Sequence, residues 1–539
     1  MKFTFILLAS LATILSAEAY TVSGNTYITD GSQSDVQAAC SGAPDNGTIT
    51  VLIPNGTYSW TGTLTISHSL SLAGASNNGV TIQSQVSSGS DMIDATSSAN
   101  GNVNIYWINI TQVANNQGGG YALSCNRTEP SSYTVLVHDS NFSSGTIYSY
   151  SVFCAANGII FWNDTFSGSG NNGIGGISFV CQKYGYTGTG SWNTADTFGT
   201  LDTTGISNSY IENCYFSNAL NDANFDDNSR IVWRYNTNQD AAISGHGQET
   251  SIYGSRAWEI YNSTFSVSSG NPSNLQNWFG VRGGTGVITG NAMEDIPFKE
   301  GIQLNVYSIT RGMNDGAGGT FCPLNYPAPR QTGWSWSASS STNWGAGDDT
   351  VPSQLIGGTS PGVFAPDGSP SRAVLKPVYI WNNTGTETTD PSYVVAQTFC
   401  PDSCYAITGV CQTIDGSSPS PCTGQPSTGI AFLLPNRDYY VNTVSPTWAP
   451  YTYPHPLHIQ YDVGPYSTWE RSLFTYMVSI GIAAARQAQV EAWVMYTSPP
   501  STPYSTWRAN LGTFMLSVGV SSAKANETKA WVKANPPTP

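Results

Sequence analysis

Residues 159–166 read Ile159-Ile160-Phe161-Trp162-Asn163-Asp164-Thr165-Phe166, a short apolar β-type run that turns at an asparagine. The pattern recurs as Val135–Phe142 (VLVHDSNF), Tyr210–Phe216 (YIENCYF), Ile231–Asn236 (IVWRYN), Trp258–Phe265 (WEIYNSTF), Gly286–Asn291 (GVITGN) and Val378–Asn382 (VYIWN). Aligning the turn residues gives Asn109, Asp139, Asn163, Asn213, Asn236, Asn262 and Asn291, spaced by 30, 24, 50, 23, 26 and 29 residues. A single period of about 25 residues, with Gly/Asn turns and no helical pattern between runs, predicts an all-β solenoid, a parallel β-helix. Each coil buries its inner face only by stacking on its neighbours. Asparagine suits the corner because it tolerates left-handed backbone and its amide can bond the next coil. A β-sandwich with evenly spaced strands is the alternative, but it gives no reason for a corner asparagine.

Composition agrees with a large folded chain. Of 539 residues 39% are hydrophobic and only 10% charged, and a solenoid can grow to this length around one continuous core. Nineteen Lys+Arg against 34 Asp+Glu give a net charge of −15, which leaves no electrostatic basis for gripping nucleic acid or an anionic membrane.

The N-terminus carries Met1-Lys2, an apolar run Phe3–Ser16, and Ala17-Glu18-Ala19. That is the layout of a secretory signal over residues 1–19, too short to span a bilayer, which takes about 20 apolar residues. An extracellular product follows, with no membrane insertion. Export makes the ten cysteines disulfide material rather than zinc ligands. Cys400, Cys404, Cys411 and Cys422 crowd one loop, and Cys125, Cys154 and Cys181 lie about one coil apart, so Cys125–Cys154 or Cys154–Cys181 are expected to bridge rungs. Asn-x-Ser/Thr acceptors for glycans stand at Asn46, Asn55, Asn109, Asn126, Asn141, Asn163, Asn262, Asn382 and Asn526.

Ile53-Pro54-Asn55-Gly56-Thr57-Tyr58 followed by Leu64–Gly74 (LTISHSLSLAG) resembles the opening coil of right-handed parallel β-helix proteins of the pectate-lyase-like superfamily. The resemblance covers roughly residues 20–460, closing at Tyr453-Pro454-His455-Pro456-Leu457, with loop insertions near 312–371 and 400–430. That superfamily includes polysaccharide lyases, glycoside hydrolases, esterases and adhesins, so the resemblance implies a fold and leaves the reaction open.

Residues 465–539 differ in kind. PYSTWERSLFTYMVSIGIAAARQAQVEAWV returns without gaps 38 residues later as PYSTWRANLGTFMLSVGVSSAKANETKAWV, matching Trp469/Trp507, Leu473/Leu511, Met477/Met515 and Trp493/Trp531. The expectation is one helix per repeat, capped at Ser467 and Ser505 and separated by the Pro499–Pro503 breaker. This tail is net +3 and suits capping, anchoring or self-assembly.

Scarce charges gather between Asn224 and Arg282. Counting back from each corner asparagine stacks Arg230 on Arg256 and aligns Asp227, Tyr253 and Arg282. His246 stands between glycines, which expose its ring. Such a face suits an acidic polysaccharide. Lytic cleavage of a uronate needs a cation on the carboxylate, supplied by Arg256 and Arg282, and proton transfers by His246 or Tyr253. Arg230, Asp226, Asp227, Glu249 and Trp278 complete the expected substrate contacts. Val281-Arg282-Gly283-Gly284 is similar to the arginine-glycine turn of β-helix alginate and chondroitin lyases, but no lysine stands one coil earlier where those enzymes carry their base. A hydrolase would draw on Asp226, Asp227, Asp240 and Glu249 instead. No cofactor is required, although Asp226-Asp227 is a candidate Ca²⁺ pair. The rival of another class is a non-catalytic adhesive or structural glycoprotein assembled through its tail.

Overall fold

The computed structural model describes residues 20–87, 89–112, 120–127, 133–143, 151–168, 177–180, 205–218, 221–226, 229–240, 242–244, 255, 257–268, 278–294, 302–305, 332–336, 373–385, 394–397, 435–461, 469, 472–473, 476–477, 479–482, 490, 494 and 504–536. The expected signal segment and most of both expected insertions lie outside these residues.

Three long sheets of 13, 9 and 10 strands wrap one core. The chain visits them in turn, as with Val135–His138 in the first sheet, Asn141–Ser143 in the second and Val152–Cys154 in the third, before returning to the first at Ile159–Trp162. Apart from the antiparallel entry pair Thr21–Ser23 and Thr26–Ile28, pairing within these sheets is parallel. This is a right-handed parallel β-helix, the hand that parallel crossovers take. Alternation along each strand sends one set of side chains inward. Val135, Val137, Phe142, Phe166, Phe216, Val152 and Phe179 join a single core cluster, where Phe142, Phe166 and Phe216 stack ring on ring from coil to coil. Helix α1 (Gln33–Gly42), N-capped by Ser32, adds Val36, Ala39 and Cys40 to that cluster beside the first coil.

The corner between the first and second sheets is a column of left-handed residues: Trp107, Asp139, Asn163, Asn213, Tyr235, Asn262, Gly290, Asn382 and Asn442. Aligning on asparagine is therefore off by two at Asn109 and by one at Asn236 and Asn291. The residue after the corner forms a second, inner column. There Asn236 Oδ1 accepts from the Cys214 N–H and its Nδ2 donates to Ile211 O, and Asn291 repeats this with Ser263 N–H and Ile260 O. Buried amides thus tie these coils to the ones before.

Cys125 and Cys154 do stack as register partners. Strand spacing alone permits a bridge. Among the described cysteines, however, Cys40, Cys125, Cys154 and Cys214 are buried thiols filling core positions, and no disulfide joins them. Cys181 and the 400–422 group lie outside the described residues.

On the outward face of the second sheet, two columns run in register across eight coils. One is Thr57, Thr81, Asn109, Asn141, Thr165, Tyr215, Thr237, Thr264; the other is Ser59, Gln83, Thr111, Ser143, Ser167, Ser217, Gln239, Ser266.

In the tail the second repeat holds two helices rather than one. The second repeat forms α3 (Tyr504–Ser517) and α4 (Ser522–Ala534), joined through Gly519 at φ +82°; Ser521 caps α4, and Ser505 lies inside α3 rather than capping it. Gly481 takes the matching conformation in the first repeat, between the helical positions Trp469, Ser472, Leu473, Tyr476, Met477 and Ser479 and the helical positions Val490 and Val494. The repeated residues Trp469/Trp507, Leu473/Leu511 and Met477/Met515 meet in a separate buried core. No helix among the described residues is long and apolar enough to cross a membrane.

Candidate functional site

The first sheet's outward face is closed from Trp162 to Trp381. Tyr106, His138, Trp162, Glu212, Arg234, Tyr261, Thr289 and Trp381 form one column in register across eight coils. Residues 445–461, ending in α2 (Pro456–Tyr461), lie along this column as a strap. Trp448 meets Trp381 and Tyr261, Tyr453 stacks on Tyr235 at 3.7 Å, and His458 stacks on Trp162 at 4.3 Å. Every donor of Arg234 is used: Nε and Nη2 on Glu212, Nη1 on Tyr261 Oη and Tyr451 O, and Nη2 again on Thr452 O. Burial opposes the Glu212 charge, yet Arg234, His458 and His455 hold its carboxyl far below the ordinary range. This ion pair, with both side chains fully buried, clasps the strap and leaves no room for a substrate.

The third sheet carries the open chemistry. At its N-terminal coils Asp94, Ser124 and Phe153 are consecutive outward register partners, half-buried beside the inward Ile93 and Cys125. Tyr121 and Phe153 stack at 4.8 Å and 15°, making a flat aromatic platform. Asp91 Oδ1 accepts from the Tyr121 N–H at 3.0 Å. Burial raises the carboxyl pKa of both Asp91 and Asp94, and at Asp91 the Asp94 charge adds to the rise. Two carboxyls so tuned beside an aromatic face are equipped to bind a sugar and to hold or release a proton. Sequence reading missed these four residues; the signal present was the Asp91-x-x-Asp94 spacing and the one-coil offset of Tyr121 and Phe153.

Further along the same sheet, Asp226 and Arg282 are the last residues of Asn221–Asp226 and Phe279–Arg282. Those strands flank Ala242–Ser244, with Asn224, Ser244 and Gly280 on one level. Asp226 and Arg282 are thus separated by two strand spacings, roughly 10 Å. His246, two residues beyond Ser244 in the sequence, lies outside the described residues, as do Asp227, Glu249, Tyr253 and Arg256.

Two expected contacts are corrected. Arg230 is 2% exposed and pairs in register with Ala257, not Arg256, because the corner of its coil is Tyr235 rather than Asn236. Trp278 is fully buried in the core, its Nε1 donating to Glu294 O at 2.8 Å, so its ring is closed to a sugar. Of the sequon asparagines, Asn46, Asn55, Asn163, Asn262, Asn382 and Asn526 are exposed, and Asn109, Asn126 and Asn141 half-buried. Among the described residues no group of three or more His, Cys, Asp or Glu is placed to hold a metal ion.

No protein-family model and no curated protein matches the chain. Solved structures similar to it include a pectin methylesterase from Aspergillus niger, at 13% identity over 71% of this chain and 93% of that one, with a TM-score of 0.32. An alginate lyase from Paenibacillus sp. str. FPU-7 is similar at 14% identity over 52% of this chain and 90% of that one, with a TM-score of 0.30. The Dettilon tailspike protein is similar at 12% identity over 52% of each chain, with a TM-score of 0.32. At these identities and scores nothing about reaction or substrate follows.

Proposed function

We propose that this is an exported enzyme that cleaves an acidic polysaccharide along the outward face of the third sheet. The supporting observation is that Asp226 and Arg282 end the two strands flanking Ala242–Ser244, the strand that leads into His246. In this reading Arg282 and Arg256 hold the uronate carboxylate, which acidifies the C5 proton. His246 or Tyr253 takes that proton, the C5–H electron pair becomes the C4=C5 double bond, and the C4–O4 bond breaks. The leaving oxygen collects a proton from the second of these two groups. Asp226, Asp227 and Glu249 bind flanking hydroxyls, and Tyr121–Phe153 extends the binding face toward the N-terminal coils. Asp226-Asp227 remains the place to look for bound Ca²⁺. A lyase of this kind releases unsaturated products absorbing near 235 nm. His246→Ala and Arg282→Ala are each expected to lower that rate at least 100-fold, with unchanged melting. Full activity in both variants would remove the assignment.

Hydrolysis is the second reading, favoured by the raised carboxyls of Asp91 and Asp94. It predicts reducing ends without 235 nm absorbance, lost in Asp91→Asn or Asp94→Asn and kept in His246→Ala.

A further inference from the structure

The outward face of the second sheet is uncharged over most of its length, in an acidic chain. Its two outward columns, from Thr57 to Thr264 and from Ser59 to Ser266, hold only hydroxyl, amide and phenol side chains across eight of its nine strands, while the whole protein carries a net charge of −15; the ninth strand continues the first column with Ala292, and exposed Glu294, two residues on, ends the uncharged run. Neighbouring side chains repeat at the strand spacing of about 4.8 Å along the solenoid and at roughly 6.6 Å across it, two residues of strand. The array is internally ordered: Asn141 Nδ2 donates to Asn109 Oδ1, Tyr215 Oη to Gln239 Oε1 at 2.7 Å, and Ser59 Oγ to Gln83 Oε1 at 3.2 Å. Such bonds fix rotamers before any ligand arrives, which lowers the entropy cost of binding. No described helix or strand from outside the sheet packs broadly across this face.

We propose that this face docks on a flat, ordered, neutral β-linked polysaccharide, as a surface separate from the third-sheet site. A neutral partner is indicated by charge: sixteen uncharged positions on eight of the nine strands, all but buried Ser217 reaching the surface, present neither the cations an acidic glycan needs nor the anions that would repel a desolvated surface. An ordered partner is indicated by regularity, since a fixed grid of donors and acceptors binds cooperatively only to a second grid of hydroxyls. Tyr215, 39% exposed, stands in the column as a ring for stacking on a pyranose face. The face would hold the protein on a wall-like surface while the third sheet works on a chain nearby.

The test is depletion of full-length protein, made in a host that adds no N-glycans, onto microcrystalline cellulose and onto chitin. Wild type and His246→Ala should both be retained on at least one, which separates this surface from the proposed active site. Thr81→Glu/Thr237→Glu should weaken retention at least tenfold. Gln83→Glu/Gln239→Glu adds charge at constant shape and keeps the acceptors for Ser59 and Tyr215, so it guards against a folding artefact and should weaken retention several-fold. Retention of wild type on neither solid, or equal retention of both charged variants, would overturn the proposal. So would mass spectrometry finding Asn109 or Asn141 glycosylated on the exported protein, because a glycan there would stand on the face.

Discussion

Asp164 sits in the inner corner column at the position held by Asn236, Asn291 and Asn383 on other coils. Its Oδ1 accepts from the Ser140 N–H at 2.9 Å as theirs accept from the coil before, but its buried Oδ2 has no partner where an amide would donate to a carbonyl. Burial pushes its pKa well up. A raised folded-state pKa means stability is complete below the ordinary value of 3.8 and declines as pH rises through the folded-state value. Asp164→Asn is therefore expected to stabilise the protein by about 1–3 kcal/mol at neutral pH, with the gain vanishing in acid; thermal melting against pH reads this directly. Glu212 has the opposite sign. Its depressed pKa gives stability that is complete above the ordinary 4.5 and drains as pH falls. Glu212→Gln should cost about 3–5 kcal/mol at pH 7 by stranding Arg234, and the deficit relative to wild type should shrink in acid. The residue scale is where sequence reading fared least well. Asn236 looks like a corner but lies one past it, and that single step moved Arg230 from Ala257 to Arg256. Glu212 finds His455 243 residues away, a separation no local pattern encodes.

At the scale of elements, the strap and the tail make separate predictions. The strap is held by Arg234 and Glu212, so Glu212→Gln should also make residues 445–461 the first site of limited proteolysis, whereas wild type is cut there slowly. The tail has its own core, in which Leu511 and its repeat mate Leu473 are both fully buried. Leu511→Ala should cost that unit about 2–5 kcal/mol and leave the solenoid's transition in place; two resolved calorimetric transitions would check it. The repeat itself was plain in the sequence, and so was its apolar pattern. The break in the second repeat is hidden in the sequence, because Gly519, like its repeat mate Gly481, turns at positive φ inside what reads as one helix-forming stretch.

Across the whole molecule, the solenoid was legible because its period is written into short apolar runs and Asn-rich corners, and coil-to-coil stacking turns that period into three sheets. Function is less legible because the three faces of one coil have different fates. The first-sheet face is closed by a strap from the far end of the chain, and the second is an uncharged grid. Among the described residues, the third combines half-buried carboxyls, an aromatic platform and the strand ends Asp226 and Arg282, beside the strand that leads in sequence to His246. The central claim, that this third face cleaves acidic polysaccharide, is tested most directly by incubating the full-length protein with a panel of uronate-containing and neutral polysaccharides. Absorbance at 235 nm and reducing ends are followed together. The account predicts both signals on at least one uronate polymer, abolished in Arg282→Ala. Silence in both readouts across the panel would contradict it and leave a non-catalytic surface protein.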